Sequence, residues 1–348
     1  MTVTQNLSMN RTRIDRILTQ FSKRKILVFG DVGVDKYTIG RVWRISPEAP
    51  IPVVEVTNTE LKLGLAANVA DNITALGGEP LLVGVIGKDM GGHEFTSLLK
   101  KNKISDRHLV VDPNRKTTLK ERVVAESQQV VRIDHETQRK INAKVIRDVW
   151  SKLEKALREA DGVIIEDYAK GLVEVSICRQ LMQAAEERGL PVLVDPNMQS
   201  TSTIYQGCTV ITPNTNEAEA ISGVRITDMS SLRVAGNRIL DEVGARIVII
   251  TRGKDGMAIF VKGGTEPILI PTFAREVFDV SGAGDTVIAT LSLALVSGAD
   301  IVEASLLANF AAGIEVGKRG TATVSLAELR EYIKLVESKS GRVRLKNA

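Results

Sequence analysis

A run of seven residues, 279–285, combines small side chains with two carboxylates in an order suited to phosphate chemistry. It reads Asp-Val-Ser-Gly-Ala-Gly-Asp, and the apolar residues after it recur at helical spacing. Gly282, Ala283 and Gly284 are therefore expected at a helix N-terminus, where free N–H groups and the helix dipole attract an anion. Asp285 would lie in the first turn, where its carboxylate could accept a proton. These are the parts of a phosphoryl-transfer site; the alternative is a glycine turn with an ordinary N-terminal aspartate.

Polar residues also follow several apolar runs that are typical of buried strands. Because parallel α/β sheets bind ligands at the carboxyl ends of their strands, we expect these residues to converge with the Asp285 turn. Any one of them could instead cap the end of a strand. They are Asp31 and the segments 166–168, 195–197, 213–217 and 252–256.

The hydrophobic pattern alternates between strands and helices along most of the chain. Buried strands separated by helices indicate an α/β domain with a mostly parallel sheet covered on both faces. Predicted strands are 25–30, 51–56, 81–86, 162–165, 191–194, 209–212 and 246–251, with an antiparallel addition at 257–261 and 267–270. Predicted helices are 11–23, 64–76, 91–101, 140–158, 174–188, 215–222 and 229–243, with two or three more after residue 282.

Two β-rich segments, about 37–57 and 117–134, interrupt this alternation, and the second has the pattern of a hairpin. We expect them to form a small separate sheet, with a polar loop at 31–44. The predicted organisation is an N-terminal helix within 1–24, one α/β domain at 25–339 and a basic tail at 340–348.

Composition narrows the possible functions. The chain has 348 residues, 43% of them hydrophobic, and a net charge of +4 with acidic residues spread throughout, so no nucleic-acid partner is expected. Two cysteines and no apolar leader predict a cytoplasmic setting, and no apolar run is long enough to span a membrane. No Walker A motif, dinucleotide fingerprint or His/Cys metal cluster is present.

Three motifs resemble those of the ribokinase-like (PfkB) carbohydrate kinases. Residues 279–285 resemble the family's second signature, D-x-x-G-A-G-D, and Asn214-Thr215-Asn216-Glu217 is similar to its N-x-x-E motif. Residues 64–70 resemble the first signature, G-G-x-x-N, with Leu65 in place of the second glycine. The resemblance covers about residues 25–335. It implies a ribokinase-like three-layer α/β/α domain with a small β-rich lid.

Within that family the chain looks like the D-glycero-D-manno-heptose-7-phosphate kinases, the kinase half of the enzymes that make ADP-heptose for lipopolysaccharide core. Asn197 stands where this branch usually has lysine. The nucleotidyltransferase half of the fused enzymes is expected to be absent. The segments that carry this resemblance are 31–37, 44–54, 120–122, 128–134 and 167–171.

The resemblance implies transfer of the ATP γ-phosphoryl group to the anomeric hydroxyl of a heptose 7-phosphate. Asp285 would be the general base, and the amides of Gly282, Ala283 and Gly284 would hold the transferred charge. Asn214 and Glu217 would arrange Mg²⁺, partly through water. The residues expected to line ATP are Thr251, Gly253, Gly256, Asn309 and Ala312.

The implied sugar ligands are Asp31, Asp35 and Asn68, whose carboxylates and amide suit a polyol. The sugar phosphate requires cations, and the candidates are Arg44, Lys120, Arg122 and Lys170. The lid segments are expected to pair two subunits into a homodimer. Two alternatives stay open: a kinase of the same family for a fructose phosphate, ribose or nucleoside, and a non-catalytic sugar-phosphate or nucleotide sensor.

Overall fold

A computed structural model describes residues 6–7, 10–126, 128–274, 277–318, 320–340, 343–344 and 346–347, with side chains for 10–126, 128–274, 277–318 and 320–336. The helices are α1 Arg11–Gln20, α2 Ala66–Ala75, α3 Met90–Lys101, α4 Ala143–Leu157, α5 Val175–Glu186, α6 Thr215–Ser222, α7 Met229–Val243, α8 Ala283–Val296, α9 Ile301–Glu315 and α10 Leu326–Ser340. The strands are β1 Asn6–Leu7, β2 Lys25–Gly30, β3 Val32–Ile45, β4 Pro52–Leu65, β5 Glu79–Val83, β6 Val85–Gly87, β7 Val110–Asp112, β8 Thr118–Ala125, β9 Gln128–His135, β10 Gly162–Glu166, β11 Val192–Asp195, β12 Val210–Ile211, β13 Ile247–Thr251, β14 Met257–Val261, β15 Ile268–Ile270, β16 Val343–Arg344 and β17 Lys346–Asn347.

The large sheet has the strand order β17-β15-β14-β13-β12-β11-β10-β2-β5. Its six strands from β13 to β5 are parallel, and β14, β15 and β17 are antiparallel additions. Alternate residues of β2 enter opposite cores: Ile26 and Val28 pack with α2, α8 and α9, whereas Leu27 and Phe29 pack with α4, α5 and α7. The predicted three-layer α/β fold is therefore confirmed.

A four-stranded small sheet, ordered β4-β3-β8-β9, stands apart from the large one. The predicted loop at 31–44 was wrong, because these residues form most of β3. β3 pairs antiparallel with β4 and parallel with β8, so both of its backbone edges are hydrogen bonded. The polar residues that suggested a loop lie on strand faces instead. The hairpin predicted near 117–134 is β8 and β9.

Other boundaries also differ from the sequence prediction, and the strand predicted at 51–56 extends over Pro52–Leu65 as β4. The strand predicted at 81–86 is divided into β5 and β6 at Gly84, where a Cβ atom would lie 2.6 Å from a Val32 methyl group. The helix predicted from residue 64 begins at Ala66, because Gly64 and Leu65 complete β4.

No described helix is both long enough and apolar enough to cross a lipid bilayer. Of the predicted basic tail, Arg342 lies outside the described residues. The backbone at 343–344 and 346–347 forms the short strands β16 and β17.

Candidate active site

Asp285 lies at the start of α8, against the carboxyl ends of the parallel strands, and is 7% exposed. The amide Nδ2 of Asn68 donates to its Oδ2 at 2.6 Å, and the hydroxyl of Tyr168 donates to its Oδ1 at 2.8 Å. Burial raises the pKa of Asp285 to about 6, against the effect of these two hydrogen bonds. The side chain is therefore a fixed carboxylate at neutral pH, with a basicity suited to accepting a proton.

The turn before α8 depends on glycine. Gly282 caps the helix with φ of 96°, in the left-handed region, and a Cβ atom there would lie 3.0 Å from Nδ2 of Asn68. The first amides of any helix have no partner within that helix. The chain thus places an anion-attracting helix N-terminus beside the Asp285 carboxylate, as the sequence predicted.

Two more carboxylates border Asp285 on the side of the small sheet. Asp31 is buried, and its Oδ2 accepts hydrogen bonds from the backbone N–H groups of Lys170 at 3.0 Å and Tyr168 at 3.3 Å. Burial raises the pKa of Asp31 to about 6. Asp35 of β3 is also buried and forms an ion pair with Arg122 of β8, at 2.6 Å. Polar acceptors therefore face the space next to Asp285.

The predicted cations differ in their partners. Arg122 is paired with Asp35, and Nζ of Lys170 lies 2.7 Å from a Glu136 oxygen. Nζ of Lys120 lies 5.4 Å from the ring centre of Tyr168, and no carboxylate of the described chain is within salt-bridge distance of it. Burial lowers the pKa of Lys120. Lys120 is therefore the cation of this group that an incoming anion would stabilise most.

Arg44 is not brought to this site within one chain. It is exposed and lies nine residues beyond Asp35 on the continuous strand β3. At about 3.3 Å per residue, that separation is roughly 30 Å.

A cavity of about 480 Å³ opens on the other side of the α8 N-terminus. Its largely apolar walls suit a flat heterocyclic base, and Ala283 and Gly284 bring the cavity to the first turn of α8. All five residues predicted to line ATP contribute to it: Thr251, Gly253, Gly256, Asn309 and Ala312.

Asn214 and Glu217 form a capping box at the start of α6. Oδ1 of Asn214 accepts from the Glu217 N–H at 3.1 Å, and Oε2 of Glu217 accepts from the Asn214 N–H at 2.8 Å. Burial raises the pKa of Glu217, and its charge in turn raises the pKa of Asp195. Both side chains thus stabilise the helix end, and Glu217 also faces the site.

Three carboxylates come together to which the sequence analysis assigned no metal role. Single oxygens of Glu166, Asp195 and Asp285 lie within 4.8 Å of one another. Glu166 is fully buried, and neither of its carboxylate oxygens has a hydrogen-bond partner in the described part of the chain. Burial and the neighbouring carboxylates raise the pKa values of Glu166 and Asp195. Oxygen ligands and mutual repulsion of this kind fit a hard divalent cation.

The family described as pfkB family carbohydrate kinase matches residues 24–328. The chain is a member of the pfkB family of carbohydrate kinases. The prediction made from the three motifs is therefore confirmed.

Curated relatives of this pfkB-family kinase include the Bifunctional protein HldE of Trichlorobacter lovleyi, 41% identical over 339 residues, which cover 97% of this chain and 68% of that protein. The Bifunctional protein HldE of Desulfatibacillum aliphaticivorans is 44% identical over 313 residues, or 90% of this chain and 64% of that protein. The chain spans about two thirds of the length of these relatives.

Solved structures share the fold. Arabidopsis thaliana ribokinase in complex with ribose and ATP has a TM-score of 0.71 at 19% identity, covering 89% of this chain and 98% of that one. Escherichia coli phosphofructokinase-2 in complex with potassium has a TM-score of 0.73 at 21% identity, and the match covers 90% of this chain and 98% of that one.

Sequence reasoning missed the roles of three residues in this pfkB-family site: Glu166, Tyr168 and Asp195. All three were noted as residues that follow strands, which was the available signal. The structure adds that β10 and β11 are neighbours in parallel register, with Glu166 opposite Asp195, and that Tyr168 reaches Asp285.

Proposed function

We propose that this kinase transfers the γ-phosphoryl group of ATP to the anomeric hydroxyl of D-glycero-D-manno-heptose 7-phosphate, giving the 1,7-bisphosphate for ADP-heptose and lipopolysaccharide core synthesis. The observation that best supports this reaction is the position of Asp285. It lies between a face lined by carboxylates and cations and an apolar cavity, and the two meet at the N-terminus of α8. The choice of sugar is supported by the heptose-kinase-like segments and by relatives named HldE.

Asp285 accepts the proton of the attacking hydroxyl, while Asn68 and Tyr168 hold its carboxylate in place. Asp31 and Asp35 bind sugar hydroxyls. The amides at Gly282, Ala283 and Gly284 stabilise the charge on the transferred group, which needs positioning more than covalent chemistry. Lys120 binds the sugar phosphate, since it is half-buried and lacks a carboxylate partner among the described side chains.

ATP lies with its base in the 480 Å³ cavity and its phosphates toward α8. Glu166 and Asp195 would hold Mg²⁺, with the charge of Glu217 beside them. When bound, Mg²⁺ neutralises charge on the phosphates. The unpartnered oxygens of Glu166 support this assignment over one centred on Asn214.

Asp195→Asn should raise the Mg²⁺ concentration for half-maximal rate about tenfold or more, because one anionic oxygen ligand is lost. Initial rates across a Mg²⁺ titration at saturating ATP and sugar would measure this. Asp241→Asn, an exposed change on α7, is the control. An unchanged Mg²⁺ requirement in Asp195→Asn would remove this residue from the metal site.

We also propose that the small sheet is a lid that pairs two subunits, since large apolar side chains are exposed on it. They are Trp43, Ile45, Val56, Val131 and Ile133. Light scattering should give the mass of two chains for the wild type and of one chain for Trp43→Glu, because Trp43 is 69% exposed and a charge there opposes burial. A wild-type mass of one chain at micromolar concentration would contradict the proposal.

A panel of acceptors with ATP tests the substrate. We expect turnover with heptose 7-phosphate and little with fructose 6-phosphate, ribose or nucleosides. Phosphorylation of fructose 6-phosphate without heptose 7-phosphate would overturn the sugar assignment, and ATP binding with no turnover on any acceptor would favour a sensor.

A further inference from the structure

Tyr205 connects two loops of the site without reaching the site itself. It ends the short helical turn Ser202–Tyr205 and is fully buried. Its hydroxyl donates to Oδ2 of Asp167 at 2.7 Å and accepts from the Asn197 N–H at 2.9 Å. Asp167 lies in the loop after β10 and Asn197 in the loop after β11, so one hydroxyl joins the two strand ends.

The loop after β10 is held in an unfavourable conformation. Ala169 has φ of 55°, in the left-handed region, which is unfavourable for a residue with a side chain. Its N–H donates to the second oxygen of Asp167, Oδ1, at 2.8 Å. Asp167 therefore stabilises the turn through its hydrogen bond to Ala169. The buried Tyr205 in turn holds the Asp167 side chain in place.

Tyr168 lies between Asp167 and Ala169 in the chain, and its side chain points into the site. Its hydroxyl donates to Oδ1 of Asp285 at 2.8 Å, and its N–H donates to Asp31 at 3.3 Å. A shift of the loop by a fraction of an ångström would lengthen the bond to Asp285, because hydrogen bonds weaken beyond about 3.2 Å.

We propose that Tyr205 and Asp167 are positioning residues for phosphoryl transfer, which keep the hydroxyl of Tyr168 on the Asp285 carboxylate. This inference rests on the proposed base role of Asp285 but not on the identity of the sugar. The hydrogen bond from Tyr168 holds the Asp285 carboxylate in one orientation, so its loss would misplace the proton acceptor.

Other charged or titratable groups also face Asp285 and stay unchanged in the test below. They are Asp35 on β3, Lys120 on β8, Glu166 on β10, Asp195 on β11 and Glu315 on α9.

Tyr205→Phe keeps the buried ring and removes only the hydroxyl. Without that hydroxyl the loop no longer holds Tyr168 on Asp285, so the proton acceptor is misplaced for phosphoryl transfer. At pH 7 kcat should fall about threefold to tenfold, while KM for ATP stays within about twofold. Ser222→Ala removes another buried hydroxyl, one that bonds the α6 backbone away from Asp285, and should leave kcat within about twofold.

The decisive measurement is the single-turnover rate of phosphoryl transfer from ATP in Tyr205→Phe, Tyr168→Phe and the double variant. The acceptor is whichever sugar the wild type phosphorylates in the panel above, so a wrong sugar assignment would not affect the comparison. Tyr205→Phe and Tyr168→Phe should each lower this rate, and the double variant should match Tyr168→Phe alone. A lower melting temperature with an unchanged rate, or losses that multiply in the double variant, would overturn the proposal.

Discussion

Asp285→Asn should lower kcat by about 10²–10⁴-fold, the usual contribution of a general base, while ATP still binds within about threefold of the wild-type affinity. The asparagine has nearly the same shape and can still accept one of the two hydrogen bonds from Asn68 and Tyr168. It cannot take the proton of the attacking hydroxyl. Single-turnover rates with saturating sugar, together with calorimetric titration of ATP, would separate the two effects.

Asp71→Asn is the matched control for this change. Burial raises the pKa of Asp71 to about 6, as it does for Asp285, but Asp71 lies on α2 outside the site. It should leave kcat within about twofold. If Asp285→Asn retained turnover within about tenfold of the wild type, Asp285 would not be the base.

The sequence could predict the parts of the site that local patterns encode. The Gly-Ala-Gly run and the helical spacing after it sufficed to place Asp285 in the first turn of α8. The strands that end at Gly30, Glu166 and Thr251 were recognisable as apolar runs, whereas the residues expected to line ATP came from the family resemblance.

Groupings that depend on strand order could not be predicted in the same way. Glu166 faces Asp195 because β10 and β11 are adjacent in parallel register, a fact of topology that no local pattern contains.

Asn214 and Glu217 show a related ambiguity. An Asn-x-x-Glu spacing before a helix is also the signature of a capping box, and the structure shows that both side chains make those bonds.

β3 shows why the polar residues at 31–44 led to the wrong prediction of a loop. Asp35 and Lys36 are consecutive in a strand, so they project to opposite faces. Asp35 enters the site beside Lys120, its neighbour on β8, and Lys36 pairs with Glu121 on the other face. A strand that is polar on both faces for functional reasons has no apolar alternation to detect.

Lys120→Met should therefore weaken binding of the phosphosugar specifically. Loss of a charge-assisted contact in a half-buried position costs about 1.5–3 kcal/mol, which is about 10- to 100-fold in kcat/KM for the sugar phosphate. The methionine keeps most of the side-chain volume against the Tyr168 ring, and KM for ATP should change less than twofold. Initial-rate kinetics with each substrate varied in turn would measure this.

Lys36→Met makes the same chemical change one residue along from Asp35, on the opposite face of the small sheet, and should leave the sugar KM within about twofold. Lys120→Arg retains the charge and should recover most of the affinity, which a purely steric effect of the methionine would not predict. Equal losses in Lys120→Met and Lys36→Met would show that the sheet, and not the Lys120 charge, was disturbed. A selective loss in Lys120→Met would identify Lys120 as the group that binds the sugar phosphate, while Asp285 acts on the anomeric hydroxyl.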